Sequence, residues 1–156
     1  MLRLSKLTDY AIVVLVRIAQ AERAAGAVIQ TGPGVAAATG IPEPTVAKVL
    51  KALAGGGLVS SQRGARGGYR LTRPLAAIPV SEVIAAIDGP IALTACVDGS
   101  AGGCESENLC PVRGRWDPVN EAIQTALGAI TLADMEEASV PRAFRVSARA
   151  LQPAAE

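Results

Sequence analysis

Apolar residues recur with helical spacing near the start of the chain, in residues 5–24. The stripe consists of Leu7, Ala11, Val14, Leu15 and Ile18. Positions separated in this way share one face of an α-helix, and Ser5 is a suitable N-cap. Residues 11–16 are also rich in β-branched side chains, so a buried strand is the competing interpretation, but the apolar pattern outlasts a typical strand. We therefore predict a helix that is apolar on nearly all sides, as expected if a second subunit covers the outer face.

Two further helical patterns follow, separated by a tight turn. The first runs from Pro33 to Ala38, the turn is formed by residues 39–42, and the second begins at Glu43 and Pro44. The buried stripe of the second helix is formed by Val46, Val49, Leu50 and Leu53. Its outer face carries the small or basic residues Thr45, Lys48, Lys51 and Ala52. This pattern is typical of a helix-turn-helix motif, whose second helix enters the major groove of DNA.

A β-hairpin is predicted directly after the second helix. Residues 58–63 and 69–72 are the expected strands, and a glycine-rich turn over residues 64–68 joins them. The arginines at or near the turn are Arg63, Arg66 and Arg70. A hairpin with arginines in this position is typical of a wing that contacts phosphates or a minor groove.

The second half of the chain predicts two more helices and a tail. A short amphipathic helix spans residues 80–88, and a longer one spans residues 116–130. The longer helix has nearly heptad-spaced apolar residues, namely Trp116, Val119, Ile123, Ala126, Leu127 and Ile130. We predict that it is a dimerisation helix, with packing on its own domain as the alternative. Asn120 lies beside the seam, where it could fix the register between two subunits.

The predicted fold class is mainly α with a small β-hairpin wing. We expect a winged helix-turn-helix domain over residues 1–90, a cysteine-rich loop over 91–112, a dimerisation helix over 113–135 and a disordered tail over 136–156. Aromatic residues make up only 3% of the chain, so Ala, Val, Leu and Ile must fill the core, which favours helices.

The charges are distributed unevenly along the chain. The net charge is +7 in residues 1–75 and −6 in residues 76–156, which leaves +1 overall. No acidic residue occurs in residues 45–73, where the basic residues are Lys48, Lys51, Arg63, Arg66, Arg70 and Arg73. A surface of one sign is expected for a polyanionic partner such as double-stranded DNA.

All three cysteines lie close together, as Cys96, Cys104 and Cys110, with the spacing C-x7-C-x5-C. Thiolates select soft metals, namely zinc, copper(I) or iron–sulfur clusters. Pro111 follows the last cysteine, as at the end of the bacterial ferredoxin cluster motif. The alternative is that these residues form one disulfide and a spare thiol, or are simply buried. Because no segment is long and apolar enough to span a membrane, we expect a cytoplasmic protein with free thiols.

The chain contains no histidine. Ser-His-Asp and Cys-His catalysis, Cys2His2 zinc fingers and all histidine-ligated metal sites are therefore excluded. Since a phosphate-binding glycine loop and paired carboxylates are also missing, we do not expect an enzyme.

Several segments resemble the IscR and NsrR type of winged-helix iron–sulfur regulators. They are residues 2–11 (LRLSKLTDYA), 40–50 (GIPEPTVAKVL), 63–71 (RGARGGYRL), 89–90 (GP) and 109–113 (LCPVR). The similarity covers about residues 1–135. The chain looks most similar to the branch that regulates SUF-type iron–sulfur assembly genes, whose members share the sequence motifs LSKLTDY and CPVRGxW.

This resemblance implies a homodimer that binds promoter DNA through the second helix and the wing. It also implies that Cys96, Cys104 and Cys110 hold a [2Fe-2S] or [4Fe-4S] cluster that senses redox state, iron or nitric oxide. NsrR-like members add an aspartate from the partner subunit's first helix, and Asp9 occupies that position here. Glu105 and Glu107 are local alternatives as the fourth ligand. The first cysteine gap holds seven residues, whereas the family usually has five.

A competing hypothesis is a cytoplasmic metal-binding or thiol-redox protein in which the three cysteines hold a structural zinc ion. In that case the basic face would be merely solvated. The two hypotheses predict different absorption spectra, because an iron–sulfur cluster absorbs visible light whereas a zinc–thiolate site does not.

Overall fold

The computed structural model describes residues 3–26, 29–64, 67–94, 97, 110–112 and 114–137. Within these ranges the chain forms helices α1 (Lys6–Ala25), α2 (Gly32–Thr39) and α3 (Glu43–Gly55), strands β1 (Val59–Gln62) and β2 (Gly68–Leu71), a turn of 3-10 helix (Leu75–Ala77), and helices α4 (Val80–Asp88), α5 (Asp117–Gly128) and α6 (Leu132–Glu137). The predicted mainly α fold with a hairpin wing is confirmed.

Helix α1 runs through the centre of the fold. Ser5 is its N-cap, because the Ser5 hydroxyl accepts a hydrogen bond from the backbone N–H of Thr8 at 3.2 Å. Four residues of its predicted apolar stripe, Ala11, Val14, Leu15 and Ile18, are fully inaccessible to solvent, and the fifth, Leu7, is half-buried. The helix contacts α2, α3, α4, α6 and β2. The helical interpretation of this segment is therefore confirmed, and the competing strand is wrong.

The helix-turn-helix pair forms as its sequence predicts. Thr31 caps α2 by accepting a hydrogen bond from the Gly34 N–H, and Gly40 ends this helix with φ 71°, a left-handed conformation that suits glycine. The buried residues of α3 are the predicted stripe, namely Val46, Val49, Leu50 and Leu53. These side chains turn the opposite face of α3 toward solvent.

The wing is hydrogen-bonded to the rest of the fold at two places. Strands β1 and β2 pair in antiparallel fashion, and Gln30 adds a bridge to Tyr69 through backbone hydrogen bonds of 2.9 and 2.8 Å. The Glu22 carboxylate in α1 accepts a hydrogen bond from the Leu71 N–H at 3.0 Å. An isolated hairpin is only marginally stable in water, so these contacts hold the wing in place beside α3.

The predicted helix over residues 116–130 corresponds to α5 (Asp117–Gly128). The predicted dimerisation segment, residues 113–135, is however not one helix, because α6 begins at Leu132. The break has a packing cause, because Leu132 is fully buried and its N–H donates to the Ile78 carbonyl at 2.9 Å. Residues 136 and 137, expected to start the tail, belong to α6. The remainder of the predicted tail lies outside the described residues.

Local hydrogen bonds start α6. The Asp134 carboxylate accepts hydrogen bonds from the backbone N–H and the hydroxyl of Thr131, at 2.8 and 2.7 Å. These bonds lower the pKa of Asp134. Thr131 and Asp134 together cap the N-terminus of α6, and a Thr-x-x-Asp sequence is typical of such a cap.

Close packing between α3 and α4 gives a test of this fold. A Cβ atom at Gly56 would lie 2.7 Å from the Ala86 Cβ, whereas one at Gly55 would meet no atom within 4 Å. We expect Gly56→Ala to lower the free energy of unfolding by about 1–3 kcal/mol, because α4 must shift. The matched variant Gly55→Ala should leave this free energy unchanged or raise it by up to about 1 kcal/mol. Chemical denaturation measures both, and equal effects would contradict the packing.

Candidate nucleic-acid interface and cysteine segment

The outer face of α3 presents the predicted residues to solvent. Lys48 and Lys51 are exposed, and Thr45 is half-buried. Neither lysine forms an ion pair with any residue that the structure describes. Both ammonium groups are therefore free to bind phosphate.

The wing carries further basic residues next to α3. Arg63 is exposed at the start of the turn, and Arg70 is exposed on β2, where its Nε donates to the Ser60 hydroxyl at 3.2 Å. Arg66 lies outside the described residues. Arg73 forms an ion pair with Glu82, so its charge is compensated within the fold.

Helix α3 and the wing form one surface. The Leu58 N–H donates to the Leu53 carbonyl at 2.9 Å, so β1 begins directly where α3 ends. This connection places the free cations of α3 and those of the wing in one structural unit. The arrangement suits a polyanion with regularly spaced phosphates, because helix and hairpin can contact its backbone together.

The predicted metal ligands are only partly described. Cys96 and Cys104 lie outside the described residues, as do Glu105 and Glu107, whereas Cys110 is half-buried. Asp9 is exposed in the first turn of α1, and no described side chain bonds its carboxylate. Among the residues with assigned positions, no three Cys, Asp or Glu side chains are grouped to hold a metal ion. The four-ligand site remains a prediction.

The segment leading to Cys96 is attached to α1 through Asp88. The Asp88 carboxylate accepts hydrogen bonds from the Thr8 hydroxyl at 2.6 Å and from the Ser5 N–H at 3.4 Å. Burial alone would raise the pKa of Asp88, but these hydrogen bonds outweigh it and lower the pKa below its ordinary value. The end of α4 is thereby fixed to the start of α1.

The same segment is attached to α5 through Asn120. This side chain is 4% exposed, and its amide bonds the Ile91 carbonyl and the Leu93 N–H at 3.0 and 3.1 Å. The expectation that Asn120 fixes a register between two subunits is therefore wrong, since its amide is engaged within its own chain. An asparagine beside an apolar stripe indicates a buried hydrogen bond, but the sequence does not show which backbone groups the side-chain amide will bind.

One side of α5, together with the residue before the helix, exposes large apolar side chains. Trp116 and Val119 are 42% and 43% exposed, which is unusual for large apolar side chains on a helix. A groove of about 700 Å³ lies beside this helix, between α5, the start of α1 and the segment after α4. Its apolar lining includes Leu4, Ile84, Ile91, Leu93, Ile123 and Leu127.

In the part of the chain with described coordinates, every helix is too short or too polar to cross a lipid bilayer.

Comparison with known proteins gives a consistent result. Residues 4–138 match the family model described as Rrf2, iron-dependent transcriptional regulator. An HTH-type transcriptional regulator of Mycobacterium tuberculosis is 33% identical over 140 residues, which are 90% of this chain and 84% of the relative. The HTH-type transcriptional regulator IscR of Klebsiella pneumoniae is 33% identical over 110 residues, which are 68% of this chain and 66% of that protein.

Solved structures share the fold. CymR, the global cysteine regulator of B. subtilis, has a TM-score of 0.64 at 24% identity, covering 90% of this chain and all (100%) of CymR. T. potens IscR has a TM-score of 0.61 at 26% identity and covers 96% of each chain. Together with the free basic face of α3 and the wing, these similarities show that the chain belongs to the Rrf2 family of DNA-binding transcriptional regulators.

Proposed function

We propose that this chain is a cytoplasmic regulator whose affinity for promoter DNA depends on an iron–sulfur cluster, and that it controls SUF-type iron–sulfur assembly genes. The observation that carries this proposal is the position of the cysteine segment. It joins α4 of the winged-helix domain to α5, so a ligand bound there can act on both. The family description as iron-dependent regulators and the similarity to IscR proteins support the proposal.

The available donors fit such a cluster. Three cysteines within 15 residues, with no histidine, form a soft thiolate set. Cys110 is half-buried, and the Asp9 carboxylate is exposed and unpaired among the described side chains, so both can reach a ligand. A bound cluster supplies a group whose charge and integrity respond to redox state, iron or nitric oxide. Cys96, Cys104 and Cys110 would hold it, with Asp9 of the partner subunit as the fourth ligand.

A second subunit fits the apolar face of α5. Val119 is exposed on this helix and Trp116 directly before it, and Ile123 and Leu127 continue the surface into the neighbouring groove. A long exposed apolar surface of this kind marks an interaction site. We take the occupant to be a second copy of the chain, because a homodimer would also place two copies of α3 on two DNA half-sites.

Cluster binding is tested by purification without oxygen. We expect the wild-type protein to absorb visible light and to contain iron and acid-labile sulfide, and Cys110→Ala to lose most of both, because one thiolate ligand is removed. Metal and sulfide analysis with an absorption spectrum measures this. A colourless wild-type protein containing zinc would instead support the structural-zinc hypothesis.

DNA binding by α3 is tested through Lys48. We expect Lys48→Ala to weaken binding to promoter DNA and to reduce the salt slope of log K by about 1, because one phosphate contact is lost. Arg115→Ala is the matched control, since Arg115 is also exposed but precedes α5. Titrations at several salt concentrations measure both variants. If the two variants have the same slope as the wild type, α3 is not the phosphate-binding surface.

Dimerisation through α5 is tested by placing a charge on its apolar face. We expect Val119→Lys to shift the protein from dimer to monomer, since burying an unpaired ammonium is costly. Glu121→Gln makes the same change in charge on the opposite side of the helix and should leave the dimer intact. Light scattering after size-exclusion chromatography measures the mass. A dimeric Val119→Lys protein would place the interface elsewhere.

A further inference from the structure

Glu22 occupies a position where the pattern of helix α1 predicts an apolar residue. The buried stripe includes Leu15 and Ile18, and Glu22 follows them at i+7 and i+4, so it lies on the same face of the helix. Its side chain is half-buried. A carboxylate in such a place is unfavourable unless its oxygens accept hydrogen bonds, so the role of Glu22 depends on what it binds.

The Glu22 carboxylate binds the outer edge of strand β2. Along an antiparallel strand, every second residue directs its N–H away from the paired strand. One such residue is Tyr69, whose N–H and carbonyl bond the Gln30 backbone at 2.8 and 2.9 Å. The other is Leu71, whose N–H donates to Glu22 at 3.0 Å. Glu22 therefore satisfies an N–H group that β1 cannot reach.

The two anchors of β2 together set the angle of the wing. Leu71 pairs with Val59 at the base of the hairpin, and Tyr69 lies two residues nearer the turn. With the Gln30 bridge alone, the hairpin can pivot about one point, whereas two points fix the direction of β2. Arg63 lies about 13 Å along the other strand from Val59, so a small rotation at the base displaces its guanidinium group.

We infer that Glu22 is a positioning residue for DNA binding, an inference that rests on the proposed function because it takes α3 and the wing as the DNA-binding surface. The carboxylate holds the wing at the angle at which Arg63 reaches a phosphate while α3 occupies the major groove. This role opposes the effect of charge alone. An anion on this domain repels the phosphate backbone, so removing it should tighten binding unless a phosphate contact is lost with it.

Non-specific binding to a random-sequence duplex of about 30 base pairs is a suitable probe, because it depends mainly on phosphate contacts and the duplex is long enough for a dimer. The full chain is titrated at several salt concentrations as wild type, Glu22→Ala, Glu22→Asp and Glu22→Gln. We expect Glu22→Ala to weaken binding about threefold or more and to lower the salt slope of log K by about 1, as if a cation had been removed.

Two conservative variants separate the hydrogen bond from the charge. Glu22→Asp keeps the charge but is shorter by one methylene group, so its carboxylate falls short of the Leu71 N–H and binding should again weaken. Glu22→Gln loses the charge but keeps a carbonyl acceptor at the same reach, so it should restore both the affinity and the salt slope.

Glu137→Ala is the matched control for charge. Glu137 is exposed in α6 and lines the same cavity of about 430 Å³ as Glu22, and among the described residues none bonds its carboxylate. Losing this charge should leave the salt slope unchanged and the affinity equal or slightly higher. Hydrogen exchange at the Leu71 amide should be faster in Glu22→Ala and Glu22→Asp, and near the wild-type rate in Glu22→Gln and Glu137→Ala.

A double-mutant cycle shows whether Glu22 acts through the wing. Glu22→Ala should have little further effect on affinity in a chain that already carries Arg63→Ala, and its full effect in a chain that carries Lys48→Ala. A general loss of folding would instead weaken binding equally in both backgrounds.

The inference is overturned if folded Glu22→Ala binds the duplex as tightly as Glu22→Gln, if Arg63→Ala alone leaves binding unchanged, or if Arg63→Ala does not diminish the effect of Glu22→Ala. Should Glu22→Ala fail to fold, the comparison of Glu22→Asp with Glu22→Gln decides in the same way. Failure of the proposed function looks different. If Lys48→Ala and Arg63→Ala both leave binding unchanged, the proposed DNA-binding surface fails and the inference with it, whereas a failure of cluster dependence alone leaves the inference standing.

Discussion

The burial of helix α1 is the interaction on which the rest of the fold depends. Four residues of its inner stripe have no exposure to solvent, and the larger ones each stabilise the fold by about 1.5–3 kcal/mol through burial alone. Because α1 contacts α2, α3 and α4 as well as β2 and α6, its position sets the orientation of α3, the proposed DNA-binding helix, and of the wing. Glu22, near the end of α1, binds the backbone of β2 directly. The position of the proposed DNA-binding surface thus depends on this one helix.

The start of the same helix is hydrogen-bonded to the last residue of α4, which precedes the cysteine segment in the chain. Thr8 holds Asp88, and the neighbouring Asp9 is the candidate fourth ligand of the cluster in the partner subunit. A ligand at the cysteines would therefore touch a segment that is hydrogen-bonded to α1 on one side and to α5 on the other. A ligand shifts the balance between two conformations only if it interacts differently with them. Under the proposed function, a bond from the cluster to a second subunit is the contact that differs.

Local patterns in the sequence were enough to predict most of the fold. The stripes of α1 and α3, the left-handed Gly40 and the glycines of the hairpin act over a few residues, and the structure has each element where the pattern indicates it. The break between α5 and α6 could not be predicted in this way, because the heptad pattern continues through Ile130. It depends on Leu132 packing against residues near Ile78, far away in the chain.

The candidate site was less predictable than the fold for the same reason. The exposure of Lys48 and Lys51 follows from helical periodicity, whereas the pairing of Arg73 with Glu82 requires knowing how the wing meets α4. Asn120 was visible in the sequence as a polar residue beside an apolar seam, but its true partners lie almost thirty residues away in the chain. The ligand role of the cysteines rests on their chemistry and on resemblance to the family.

The most direct test of the account compares promoter DNA affinity in one preparation before and after the cluster is removed. The protein is purified without oxygen, half of it is stripped of iron with a chelator, and both halves are titrated with promoter DNA at the same salt concentration. The account predicts that the two affinities differ by about tenfold or more, which corresponds to about 1.4 kcal/mol of coupling. Equal affinities for cluster-loaded and cluster-free protein would contradict it.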